Sequence, residues 1–129
     1  MFTLEAIALA HAQVKSGADF PKYIQDLIKL GITTYDTFVE DGRTCYSGVN
    51  EFMLNAEAKY PKMAIATKSQ ALLFKTYLKM HQNGETDYPT FCKHAAECGV
   101  QKWQVKLQEL RCTYFDTVGA IMIEENINA

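Results

Sequence analysis

The segment DFPKYIQDLIKLGI, Asp19 to Ile32, returns 68 positions later as DYPTFCKHAAECGV, Asp87 to Val100. A chain of 129 residues that writes one pattern twice must place two versions of it in one small core. Carrying the shift on to Tyr46 and Tyr114 aligns Asp19 with Asp87, Pro21 with Pro89, Gly31 with Gly99, Arg43 with Arg111 and Tyr46 with Tyr114. Several unlike pairs keep their chemistry: Phe20/Tyr88, Tyr23/Phe91 and Tyr35/Trp103 are aromatic, and Ile32/Val100 is β-branched.

The retained positions are those that local physics needs. Asp19 and Asp87 can accept hydrogen bonds from the orphan amides of a helix start, and Pro21 and Pro89 fall in the first turn, where no amide hydrogen is required. Tyr23, Ile24, Leu27 and Ile28 make one helical face, repeated as Phe91, Cys92, Ala95 and Ala96. Gly31 and Gly99 end each helix. The pattern then turns extended: ITTYDTFVEDGRTCYSG predicts a hairpin turning at Asp41-Gly42, and VQKWQVKLQELRCTYFD predicts a second, with a different turn because Glu109-Leu110 replaces the glycine pair. EFMLNA and AIMIEENI predict a third strand in each half, the latter after a turn at Val118-Gly119. Upstream of each repeated helix, TLEAIALAHAQVKSG and SQALLFKTYLKMHQNG predict another, capped by Thr3 or Ser69 and stopped by Gly17 or Gly84.

The fold expected is therefore α+β: an internal duplication of an ααβββ unit related by a pseudo-two-fold, with helices packed on one antiparallel sheet or a pair of sheets. Residues 1–129 make a single domain, with repeat one at about 3–57, a connector at 58–68 and repeat two at about 69–127.

Thirteen Lys and Arg stand against fifteen Asp and Glu, with no long run of one sign, so there is no concentrated positive field for nucleic acid. No stretch approaches the ~20 apolar residues of a membrane span, and MFTLEAIALAHAQVKSG lacks the basic start and cleavage site of a secretion signal. The expected address is the cytoplasm, with Cys45, Cys92, Cys98 and Cys112 as reduced thiols.

DYPTFCKHAAECGVQKW followed by RCTYFD resembles a family of small bacterial proteins of unknown function, sometimes labelled "phage envelope protein", in which DYxTFCxxAAExGVxKW is followed by TCTYYD. The resemblance extends over nearly the whole chain. It implies no reaction and no catalytic residues.

Cys92, His94 and Cys98 are the tightest group of metal-capable side chains. Cys92 and His94 diverge by about 160° on a helix, so the three cannot close a tetrahedral site, and neither metal nor cofactor is expected. No nucleophile motif, phosphate loop or nucleotide fingerprint occurs, so the reading leans away from an enzyme without settling the point, and the alternative is a small enzyme or small-molecule carrier with its groove between the two repeats. The candidate ligand residues are the repeated Arg43, Arg111, Tyr46 and Tyr114, with Tyr35 and Trp103. They are read either as hairpin and core supports or as the lining of a groove between the halves for an anionic or planar small molecule. The leading expectation is an interaction module that self-associates, the edge strand AIMIEENI offering a surface for a homodimer. Another protein and a small molecule are the other candidate partners.

Overall fold

The computed structural model describes residues 2–14 and 19–127. Within them, two helices and three strands follow one another twice: α1 (Leu4–His11), α2 (Phe20–Lys29), β1 (Ile32–Phe38), β2 (Thr44–Gly48) and β3 (Met53–Ala56), then α3 (Ala71–Gln82), α4 (Tyr88–Glu97), β4 (Val100–Lys106), β5 (Arg111–Asp116) and β6 (Ile121–Asn126). The six strands form one antiparallel sheet in the order β3-β2-β1-β4-β5-β6. The fold is α+β with a single sheet, and no helix among the described residues is long and apolar enough to cross a membrane.

Each repeated helix buries the face its sequence marks. Tyr23, Ile24 and Leu27 of α2 are buried, as are Phe91, Cys92, Ala95 and Ala96 of α4. Their starts differ. Asp87 Oδ1 accepts from the Thr90 amide at 2.9 Å, whereas Asp19 makes no side-chain cap bond. Asp19 already has helical angles (φ −88°, ψ −6°), and a capping side chain reaches the first amides only from extended backbone. Thr3 caps α1 through the Ala6 amide at 3.1 Å. Ser69 does not cap α3, which begins after Gln70, because the Gln70 amide is tied to the Cys98 carbonyl at 2.9 Å and the chain turns helical only once past that contact. Gly31 and Gly99 both take positive φ after their helices, as does Gly84 after α3. Gly17 lies outside the described residues.

The β1–β2 turn has Gly42 at φ +76°. The second hairpin departs from it less than expected, since Leu110, at the equivalent position, is also left-handed at φ +51°. A side chain there costs roughly 1–2 kcal/mol, offset by Leu110's packing against the core and by the Ile127 amide on its carbonyl at 2.7 Å.

The halves meet where β1 pairs with β4. Tyr35 faces Val105, Asp36 faces Gln104 and Thr37 faces Trp103, a reciprocal register centred on Asp36 and Gln104. By strand alternation Tyr35, Thr37, Thr44, Tyr46, Trp103, Val105, Cys112 and Tyr114 point to one face, where all are buried. Fully buried Ile24, Leu27, Phe74, Val105 and Leu107 fill that layer, each contributing roughly 1.5–3 kcal/mol by leaving water. The opposite face carries Asp36, Phe38, Lys102, Gln104, Thr113 and Phe115, and only Thr113 of these is buried.

Candidate functional site

The six residues singled out by the repeat divide between the two faces of the sheet. Tyr35 and Tyr46 are cross-strand neighbours with ring centroids 5.6 Å apart, and Trp103 and Tyr114 are their counterparts at 6.0 Å. All four are buried beneath the helices, and burial raises the tyrosine pKa values, so their hydroxyls stay protonated at neutral pH. Arg43 and Arg111 lie on the other face, next to hairpin turns that the antiparallel pairing of β1 with β4 puts at opposite ends of the sheet. Arg43 lies 4.3 Å from the Phe38 ring centroid and contacts Asp41 at 3.0 Å and Glu40 at 3.3 Å, while Arg111 sits 3.6 Å from Glu124. The arginines and the four buried aromatics therefore share no groove.

Between the arginines a polar row crosses the uncovered face. Lys102 Nζ and Gln104 Nε2 both donate to Asp36 at 3.0 Å, and Thr113 donates to Glu124 at 3.0 Å. The row satisfies its own charges.

The cysteines are free. Burial pushes the Cys112 thiol up to about 12 and raises those of Cys92 and Cys98, so these three supply no thiolate near neutral pH. Cys92 and His94 do diverge: His94 stacks on Tyr77 of α3 at 3.7 Å, while Cys92 meets the hydroxyls of Tyr60 and Tyr88. Among the described residues no three His, Cys, Asp or Glu side chains come together to hold a metal.

A cleft of about 450 Å³ opens where the connector runs past the start of α4. Lys59, Tyr60 and Lys62 form one wall, Tyr88 and Lys93 the other, and Cys92 lies at the floor. The connector wall is irregular in sequence but tightly held. The amides of Lys59 and Met63 donate to the carbonyls of Asp41 and Glu40 at 2.7 Å each, and the Tyr60 hydroxyl donates to the Val39 carbonyl. Tyr60 also presses on the first hairpin, where a Cβ added to Gly42 would lie 2.8 Å from its ring. Tyr88 spans from surface to interior, 39% exposed, with its ring edge-on to Trp103 at 6.4 Å. Lys59 borders α1 as well: burial first, and then the Lys59 charge, hold the His11 imidazole below its usual range. None of the cleft's lysines is marked by the repeat. The one available signal was Tyr88, an aromatic in the first turn of a helix whose buried face is otherwise complete without it.

Residues 8–126 match the family model described as a protein of unknown function, DUF1398. The chain belongs to that family. The match takes in both halves and the connector, so the sheet, the buried aromatic pairs and the cleft all fall within the family's extent. Among curated proteins, none matches the chain.

Proposed function

We propose that this DUF1398 chain is an interaction module, without a catalytic step of its own, that self-associates through strand β6 and helix α3. The observation that carries this reading is an apolar edge. β6 is the last strand of the sheet, and Leu72 (85% exposed), Val118 (85%) and Ile121 (60%) stand out beside it. Such an edge presents free amides and carbonyls to a further strand. The edge at β3 is four residues long and less suited to the task.

Between α3 and β6 runs a groove of about 350 Å³ lined by Leu72, Lys75, Lys79, Met122, Glu124 and Glu125. Antiparallel pairing of β6 with the β6 of a second copy would extend the sheet and bring α3 towards its counterpart. Protonated, buried thiols and tyrosines support a binding rather than a catalytic role, and free cysteines suit a reducing compartment such as the cytoplasm.

Light scattering coupled to size exclusion tests the proposal. The wild-type chain is expected to show a concentration-dependent dimer, and Leu72→Glu to elute as a folded monomer. Leu72 is exposed in the first turn of α3, where an acidic side chain suits the helix dipole, so the substitution spares the monomer. A wild-type chain that stays monomeric at millimolar concentration overturns the proposal, as does a dimer that Leu72→Glu leaves intact.

A further inference from the structure

We infer that the cleft between the connector and α4 binds a small planar organic anion, its carboxylate held by Lys59 and Lys93 and its flat apolar body lying between Tyr60 and Tyr88. The first support is charge. Three lysines ring one cleft in a chain whose net charge is −2. Lys62 is engaged by Glu40 at 3.3 Å, and Glu40 is shared with Arg43. Lys59 and Lys93 have no carboxylate partner among the described residues.

The second support is the floor. Cys92 at the floor and Tyr60 and Tyr88 on the walls above it are the ionisable groups besides the lysines, and burial raises the pKa of each, so all three are neutral at physiological pH. An incoming anion meets cations at the rim and no negative charge beneath. Their hydroxyls and thiol bond to one another and to the Val39 carbonyl, which leaves ring faces, two prolines and Met63 as the apolar lining. A cleft of about 450 Å³ lies at the low end of small-molecule sites, suited to one or two fused rings.

The third support is preorganisation. Four contacts, from the amides of Lys59, Tyr60 and Met63 and from the Tyr60 hydroxyl, fasten the connector to residues 39–41. A wall already fixed loses little conformational entropy when a ligand arrives. This site is separate from the α3–β6 groove and does not depend on self-association.

An amide-resolved NMR titration with naphthalene-2-carboxylate, paired with the neutral naphthalene-2-methanol, tests the inference. The expected result is saturable shifts confined to residues 59–63 and 88–93, with the acid binding about tenfold tighter than the alcohol. The Lys59→Gln/Lys93→Gln double variant is expected to abolish that preference and leave alcohol binding unchanged. Both lysines are exposed, so this variant folds as the wild type does. No saturable shift at millimolar acid, equal binding of acid and alcohol, a preference that survives the double variant, or shifts centred on α3 and β6 would each overturn it.

Discussion

Helices α2 and α4 occupy equivalent places in the two halves, yet they bury different volumes. Where α2 presents Ile24, Leu27 and Ile28, α4 presents Cys92, Ala95 and Ala96. The smaller side chains admit what the first half does not have to house: the connector and Phe74. The Ala66 amide bonds the Ala96 carbonyl at 2.9 Å, Gln70 bonds Cys98, and the Phe74 ring packs 5.7 Å from Phe91 and 5.1 Å from Tyr114. The glycines after the helices follow suit. Among the described residues a Cβ on Gly31 would meet nothing within 4 Å, whereas one on Gly99 would lie 2.6 Å from the Lys68 carbonyl oxygen. One local pattern has thus been fitted to two neighbourhoods, and the connector makes the difference.

The sharpest way to break this comparison is to substitute the paired glycines. Both sit at positive φ, so alanine strains either by roughly 1–2 kcal/mol. Gly99→Ala adds a clash with backbone and is expected to cost about 3–4 kcal/mol in all, against about 1 kcal/mol for Gly31→Ala. Urea unfolding of both variants checks the ranking, and equal losses would remove the connector from the explanation. Next in size, Ala95→Leu installs the side chain of the first half in the second and is expected to cost about 2 kcal/mol by overpacking. Differential scanning calorimetry would show it as a lowered midpoint, and a neutral outcome would mean that α4 has room to spare.

The smallest effect lies at the helix starts. Hydrogen bonds from Thr90, through its hydroxyl and its amide, hold the Asp87 carboxyl below its usual range. A depressed folded-state pKa contributes stability that is present above the unfolded value and is lost as pH falls through the folded one. Asp87→Asn should therefore flatten the stability profile below about pH 4 relative to the wild type. Thermal melts across that range compare the two directly.

The helices and strands were readable in the sequence because Pro, Gly and the apolar periodicities act locally. Thr3, Gly31, Gly42, Gly99 and the buried face of α4 sit where their chemistry puts them. What escaped depends on partners distant in the chain. Nothing near Ser69 announces that Gln70 will be held by Cys98, and nothing in Glu109-Leu110 announces that Ile127 will hold a left-handed leucine. The number of sheets was open because hairpins can pair internally in either arrangement, and only the β1–β4 register joins them. The site was the least legible part. Repetition drew attention to Arg43, Arg111 and the aromatics, which serve the hairpins and core, whereas two of the cleft's lysines lie in a connector that has neither repeat nor period, and the third, Lys93 of α4, stands where the first copy has Gln25.

The reciprocal pairing of β1 with β4 has one more consequence. In an assembly of two identical chains, an axis through such a register would set each central side chain against its own twin, aspartate against aspartate. A single covalent chain is free of that rule: Asp36 meets an amide and, beside it, an ammonium. The asymmetric contact acts as a keel, since sliding either strand by one residue would drive the carboxylate into the oily layer below.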